Sequence, residues 1–173
     1  MKSVEEEEKD ALQLITAGDL AGARPILVDL CKKQPENASL HYRTACVHDN
    51  LGFEREAVPF YETALRLGLV GDELEGAYVG LGSTYRLLGQ FTKSIDVLLE
   101  GSKKFPNSQV MKIFEAMTLH ESGRHNLAVA MLLHCAADKP GDRSVGLYRR
   151  AIQQYAMEYG KVDEQCSGLK SDI

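Results

Sequence analysis

The sequence predicts an all-α protein of four helix hairpins and a terminal helix, on the strength of three observations. The first is a period, since Gly18, Gly52, Gly89 and Gly123 follow one another at intervals of 34, 37 and 34 residues. The second is a small residue seven positions before and five positions after each glycine. The third is a bulky residue four positions before and nine positions after it. Recurrence at this interval is typical of helical repeat proteins, so the chain is expected to fold as a stack of similar units.

The recurring columns have a mechanical meaning in each hairpin. Small side chains allow two antiparallel helices to approach closely, bulky side chains fill the space beside them, and the glycine supplies the tight turn. The small residues are Ala11, Ala45, Gly82 and Ala116 before the turn, and Ala23, Ala57, Ser94 and Ala128 after it. The bulky residues are Leu14, His48, Tyr85 and Leu119 before the turn, and Leu27, Tyr61, Leu98 and Leu132 after it.

Proline marks the end of three hairpins. Pro35, Pro106 and Pro140 each follow a turn glycine by 17 residues. Proline cannot continue the second helix, so these positions separate one hairpin from the next. The second unit has Leu69 there instead, and its three extra residues lie in "LGLVGDELEG".

Start signals support the same boundaries. Asn37 and Asn107 are predicted N-caps, because a side-chain oxygen there can accept a hydrogen bond from the first turn. Asp72 stands three residues before Glu75, which is the spacing of a capping box. Helices are therefore expected to begin at these positions.

A one-sided helix is predicted after the last proline, with Asp142 as its N-cap. Its apolar face recurs at helical spacing and comprises Val145, Tyr148, Ile152, Tyr155 and Tyr159. Such a helix would seal the last apolar surface of a repeat stack and show water a polar side. The prediction is a capping helix over 142–160 and a C-terminal tail over 161–173.

These features resemble the tetratricopeptide repeat, a helix-turn-helix unit of about 34 residues. The third unit, "AYVGLGSTYRLLGQFTKSIDVLLEGSKKFPN", is the best match, and the second matches well through "GFEREAVPFYETAL". The first and fourth units depart from the pattern, with Asp10 and Glu115 where leucine is usual. The chain most resembles the compact bacterial tetratricopeptide proteins of the group 5 family. The resemblance implies a right-handed α–α superhelix in a single domain over 1–160, with repeats at about 3–36, 37–70, 74–107 and 108–141.

Composition disfavours several classes of function. Twenty Lys and Arg against 25 Asp and Glu give a formal charge of −5, whereas nucleic-acid binders usually carry a basic surplus. The start, "MKSVEEEEKDAL", has no apolar core of signal-peptide length, and no stretch approaches the length of a membrane span. Four widely spaced cysteines, Cys31, Cys46, Cys135 and Cys166, are expected to be reduced thiols. We therefore expect a cytoplasmic protein that binds neither nucleic acid nor membrane.

No pattern in the sequence indicates catalysis. The stretch "GLGSTYRLLG" has glycines near Ser and Thr but lacks the spacing of a phosphate-binding loop, and its glycines fall within a helical repeat. The stretch "HYRTACVHDN" raises a zinc hypothesis with His41, Cys46, His48 and Asp49. His41 and His48 share one helix face, whereas Cys46 lies roughly 140° round the helix, so the set does not converge. Packing against the partner helix explains the histidines better, and no enzyme activity, metal or cofactor is expected.

The resemblance implies a concave face lined by the first helix of each unit, where a protein partner would bind. The predicted lining residues are Tyr42, Arg43, Cys46, Asp49 and Asn50 in the second unit, Val79, Ser83 and Arg86 in the third, and Ile113, Phe114, Met117, His120 and Glu121 in the fourth. Phe114 and Met117 are the most suggestive, since exposed aromatic and methionine side chains are typical of protein-binding surfaces. The alternative is that they contact the neighbouring unit or the terminal helix.

The sequence thus favours a non-catalytic interaction module that binds a peptide or helix of a partner protein in this groove. Arg43 and Arg86 would orient an acidic or C-terminal group of that partner. One alternative is a homo-oligomeric structural scaffold, in which a second copy of the chain occupies the groove or an end of the stack. Another is a small-ligand or peptide sensor, whose sign would be a closed pocket with converging polar groups.

Overall fold

A computed structural model describes residues 2–137 and 143–168 of the chain. Over these residues it is all-α, as the sequence predicts, and its helices are α1 Val4–Thr16, α2 Leu20–Lys33, α3 Ala38–Asn50, α4 Glu54–Leu67, α5 Gly71–Leu87, α6 Phe91–Lys104, α7 Gln109–Glu121, α8 His125–Ala137 and α9 Arg143–Gly168. Among the described helices, none combines the length and apolar character that crossing a membrane requires.

Two compact units divide the chain, an amino-terminal unit over Met1–Gln90 and a carboxy-terminal unit over Phe91–Ile173. The boundary follows the turn at Gly89, so the two helices of the third predicted repeat belong to different units. The single domain over 1–160 stays a prediction.

The four repeating glycines make the turns that the sequence predicts. Their φ angles are +81° at Gly18, +78° at Gly52, +71° at Gly89 and +86° at Gly123. This left-handed region is costly for residues with a side chain, which is why glycine recurs at each turn.

In the amino-terminal unit, α1 packs against α2, α2 against α3, α3 against α4, and α4 against α5. The recurring small residues lie where these helices approach most closely. Ala11, Ala23, Ala45 and Ala57 are fully buried. Leu27, Leu30 and Leu40 fill the adjoining core.

In the carboxy-terminal unit, α7 packs against both α6 and α8, and α8 packs against α9. Ala116 and Ala128 are buried in a cluster with Ile95 and Leu119. Ser94, the small residue of the third repeat, is buried and lies with its hydroxyl 2.9 Å from that of Thr118. One bulky position departs from the pattern, because Leu132 on α8 is exposed.

Helix starts agree with the sequence only in part. Asn37 caps α3 by accepting a hydrogen bond from the Leu40 N–H at 3.1 Å. The predictions at Asn107 and Asp72 are wrong. Ser108 caps α7 instead, with its hydroxyl 3.2 Å from the Met111 N–H, and α5 begins at Gly71, so Asp72 already lies in the first turn. A carboxylate there still complements the positive end of the helix dipole.

The terminal helix differs from its prediction in length and in the face that it buries. It continues to Gly168, past the predicted end at residue 160. Tyr148, Tyr155 and Tyr159 are exposed, whereas Ala156 is buried. A methyl group at Gly160 would lie 3.9 Å from the Cβ of Ala130 on α8. The face of α9 that is buried is therefore the one whose small residues allow close approach to α8. Of the predicted apolar stripe, only Val145 and Ile152 are half-buried.

The described residues stop short of some predictions. Pro140 and the N-cap Asp142 lie outside them, as do residues 169–173 of the predicted tail. Cys31, Cys46 and Cys135 are free thiols, and the side chain of Cys166 is not among those described.

Candidate binding surface

Nine of the predicted groove residues occupy three positions that recur in the repeats, ten, six and three residues before the turn glycine. We call these the inner positions. They hold Tyr42, Cys46 and Asp49 on α3, Val79, Ser83 and Arg86 on α5, and Ile113, Met117 and His120 on α7. The structure gives the α3 and α7 sets very different surroundings.

On α3, the inner positions are covered by α5, the first helix of the next repeat. Two glycines allow this approach, because a methyl group at Gly76 would overlap the Tyr42 hydroxyl, and one at Gly80 would lie 2.5 Å from the Tyr61 ring. The Thr84 hydroxyl on α5 donates to the Asp49 carboxylate at 3.0 Å. The inner positions of α3 are therefore a packing surface within the amino-terminal unit.

Polar groups at this α3–α5 contact are matched to one another. The Tyr61 hydroxyl lies 3.4 Å from Oδ2 of Asp49 and 3.6 Å from Sγ of Cys46. Burial raises the pKa of Asp49, and the hydrogen bonds from Thr84 and Tyr61 oppose that shift. Burial also raises the pKa of Tyr42 and of Cys46. Such shifts follow from desolvation within a packed contact, where each polar group needs a partner.

Arg43, predicted to orient an acidic group of a partner, already has acidic partners within the chain. Its Nη1 lies 2.8 Å from Oε1 of Glu8 on α1, and its Nη2 lies 3.8 Å from Oε1 of Glu73 on α5. Asn50, seven residues further along α3, is exposed and donates its side-chain amide to the Cys46 carbonyl at 2.7 Å. Arg43 therefore links three first helices of the amino-terminal unit.

The three predicted groove residues of α5 are not exposed. Val79 and Ser83 are half-buried, and Arg86 is only 9% exposed. Arg86 is consequently not the open groove cation that the sequence predicts. Its buried position favours a structural role.

On α7, by contrast, the inner positions are open to solvent. Ile113 is 41% exposed and Met117 is 39% exposed, and His120 is also exposed. Phe114 beside them is half-buried, and Glu121 at the end of the helix is exposed. The opposite side of α7 is buried against α6 and α8, so this helix is apolar on both sides.

Sequence reasoning missed one residue of this surface. Val110 is 40% exposed and lies three residues before Ile113, on the same side of α7. Helical spacing could have identified it, because Val110, Ile113 and Met117 lie at i, i+3 and i+7. We call Val110, Ile113, Phe114 and Met117 the α7 face.

His120 adjoins this face and meets His125 across the turn at Gly123. The two Nδ1 atoms lie 3.1 Å apart and the ring centroids 4.6 Å apart. At this distance one imidazole donates a hydrogen bond and the other accepts it.

The histidines that raised the zinc hypothesis pack as the repeat pattern predicts. His48 is buried and stacks on Phe60, with ring centroids 5.2 Å apart, and its Nδ1 donates to the Thr44 carbonyl at 2.8 Å. Buried His41 donates from Nε2 to the Pro35 carbonyl at 3.0 Å. Within the described residues, no three His, Cys, Asp or Glu side chains are grouped so that they could hold a metal ion.

Comparison with known proteins gives both a family and a fold. A family model described as tetratrico peptide repeat matches residues 38–159. A crystal structure of MamA protein is 18% identical, covers 98% of this chain and 96% of its own, and has a TM-score of 0.71. A second crystal structure of MamA is 20% identical, with coverages of 94% and 97% and a TM-score of 0.69.

A third similar structure, MamA 41-end from Desulfovibrio magneticus RS-1, is 12% identical, with coverages of 98% and 97% and a TM-score of 0.67. Identities this low indicate a shared fold and nothing about shared partners. No curated protein sequence matches the chain.

Proposed function

Because this chain belongs to the tetratrico peptide repeat family, we propose that it is a non-catalytic protein-interaction module. Its binding surface is the α7 face, and its ligand is an amphipathic helix of a partner protein. The observation that carries this proposal is the exposure of Ile113 and Met117 at positions whose counterparts on α3 are covered.

The amino-terminal unit supports a helix as the ligand. There the inner positions of α3 receive α5, which is itself a helix and which approaches through glycines at its contact points. The α7 face presents the same positions with apolar side chains, and no helix among the described residues covers Ile113 and Met117. A partner helix with small residues at its contact positions would complete the stack at this point.

The energetics of the α7 face suit protein binding. Complete burial of a large apolar side chain stabilises a complex by about 1.5–3 kcal/mol, and these side chains are already partly covered, so each would contribute roughly half of that. Methionine adapts its shape to irregular partners, which favours Met117 as a contact. A few such residues commonly supply most of the binding energy of an interface.

A non-catalytic role accords with the polar groups of the amino-terminal unit. The Thr84 and Tyr61 hydroxyls both donate to the Asp49 carboxylate, and Arg43 pairs with Glu8 and Glu73. Groups that satisfy one another in a helix contact stabilise and specify that contact. They are thereby engaged in packing rather than turned toward a substrate.

The test is capture of partners from native extract by three forms of the protein. These are the wild type, the double variant Ile113→Asp with Met117→Asp, and the control Leu132→Asp, which places the same charge at an exposed leucine of α8. We expect one set of proteins to be retained by wild type and control, and lost by the double variant. Equal capture by all three forms would contradict the proposal.

A second copy of the chain could also supply the helix, which is the scaffold alternative. In that case the mass measured by light scattering would rise with protein concentration for the wild type and for Leu132→Asp. The double variant would remain monomeric. A monomeric wild type would leave a different protein as the partner.

A further inference from the structure

A cavity of about 600 Å³ lies between α6, α7, α8 and α9 of the carboxy-terminal unit. Its wall is mainly apolar and includes Ile95, Leu99, Leu119, Leu127, Met131 and Ala156. Cavities of this size and character commonly hold small organic molecules. It adjoins the buried side of α7, whereas the α7 face lies on the exposed side, so the two sites are separate.

Glu115 is the acidic residue in this wall and is only 7% exposed. It lies eight residues before its turn glycine, and the same position in the third repeat holds Leu81, which is 2% exposed. The repeat thus has a carboxyl group where an equivalent helix buries a leucine. Burying an ionised carboxylate costs stability unless a partner compensates it.

The described part of the chain supplies little compensation. Glu115 forms no ion pair among the described residues. Burial raises the pKa of Glu115, and the charge of Arg124 only partly opposes the shift. A costly buried carboxyl in an apolar cavity is the kind of group that a ligand recognises.

We propose that this cavity binds a small aliphatic monoamine, whose ammonium group pairs with Glu115 and whose hydrocarbon part lies against the apolar wall. The basic lining residues Arg124, His134 and Lys161 are exposed and stand toward solvent. A second positive charge at the outer end would meet only these cations among the lining residues, so a diamine is disfavoured relative to a monoamine. An anionic ligand is disfavoured, because exposed cations attract weakly in water while the buried carboxylate would repel it strongly.

The four methionines within the described residues allow a direct test by NMR of ¹³C-labelled methionine methyl groups. Met131 and Met157 line the cavity, Met117 belongs to the α7 face, and Met111 is fully buried. The probes are hexylamine, hexan-1-ol, hexanoate and 1,6-diaminohexane, which share a six-carbon chain. We expect hexylamine to shift Met131 and Met157 saturably, with about tenfold higher affinity than the other three, as a charge-assisted contact would give.

Two substitutions at Glu115 complete the experiment. Glu115→Gln should weaken hexylamine binding to the level of hexanol, and Glu115→Leu, which installs the residue of the third repeat, should do the same in a well-folded protein. Equal affinity for hexylamine and hexanol, tighter binding of hexanoate, tighter binding of the diamine, or no binding would each overturn the proposal. If no amine binds the cavity, the Met117 methyl signal can still be used to test partner binding at the α7 face. The two proposals are therefore tested independently.

Discussion

The first helices of the second and fourth repeats, α3 and α7, have the same repeat positions, but these positions are covered on α3 and exposed on α7. On α3, the inner positions are closed over by α5, with glycines that admit tyrosine rings and hydrogen bonds that satisfy Asp49. On α7, the corresponding Ile113 and Met117 remain exposed. The same positions therefore form a packing surface on α3, where α5 covers them, and an open surface on α7, where no described helix does.

The helices that follow α4 and α8 also pack differently. The first helix after the second repeat, α5, packs against both α3 and α4, and α9 packs along α8 through Ala156 and Gly160. The region beside α7 holds the cavity with Glu115 in its wall. Among the described residues, the carboxy-terminal unit thus combines an open apolar helix face with an apolar cavity.

The largest expected effect concerns the glycine that admits Tyr61. Gly80→Ala should lower the free energy of unfolding by about 3 kcal/mol, because the added methyl group would lie 2.5 Å from a buried ring and force the helices apart. Urea denaturation measures this change. The matched control is Gly146→Ala on α9, where an added methyl group meets no atom within 4 Å; alanine's higher helix propensity should raise stability there by up to about 1 kcal/mol. A neutral Gly80→Ala would mean that α5 does not close over α3 and α4 as described.

The next effect compares two equivalent side chains directly. Tyr42→Ala should lower the free energy of unfolding by about 2 kcal/mol, because it removes a ring from a closed helix contact. Ile113→Ala, at the same repeat position, should change it by less than about 1 kcal/mol, since the isoleucine is exposed in the free protein. Thermal and urea unfolding of both variants test this, and equal losses would remove the distinction between α3 and α7.

Glu115 should make the carboxy-terminal unit less stable than it could be. Glu115→Leu should raise the free energy of unfolding by about 1–2 kcal/mol near pH 7, because it replaces a buried carboxylate by the residue found in the third repeat.

The gain from Glu115→Leu should depend on pH in a definite direction. Burial raises the folded-state pKa above the ordinary value of 4.5. The protonated group is therefore tolerated below pH 4.5, and its stabilising contribution is lost as pH rises through the folded pKa. The gain should grow between pH 4 and pH 7. Urea titrations at several pH values measure it, and a gain independent of pH would show that ionisation of Glu115 is not the cause.

The smallest effect belongs to the ion pairs of Arg43. Arg43→Gln should lower the free energy of unfolding by about 0.5 kcal/mol, because partly exposed ion pairs with Glu8 and Glu73 are weakened by solvent. The loss should shrink further in 1 M NaCl, where charges are screened. Loss of partner capture by this variant, with stability unchanged, would instead support the orienting role that the sequence predicts.

Much of the fold follows from local rules that a sequence displays. The turn glycines are predictable because a positive φ excludes other residues, and Ala11 and Ala116 are predictable because close helix contacts exclude larger ones. The buried face of α9 was not predictable from apolar spacing, since Tyr148 and Tyr155 share a stripe yet the small residues decided the contact.

The candidate site was predictable only as a set of positions. Helical spacing places Tyr42 and Ile113 on equivalent faces, but it does not say which element covers a face. The prediction from the sequence therefore assigned positions that are covered and positions that are exposed to the same groove. The open positions differ from the closed ones in belonging to the fourth repeat. Glu115 stands out because the third repeat buries Leu81 at the same position.

The most direct test of the account is a methionine-methyl NMR titration with a partner protein recovered by the wild type. Met117 belongs to the α7 face, Met111 is fully buried, and Met131 and Met157 line the cavity. Binding of a helix to the α7 face predicts a large, saturable shift of the Met117 methyl signal, while the other three change little. An unshifted Met117 signal in a saturated complex would contradict the account, because the partner would then bind elsewhere on the chain.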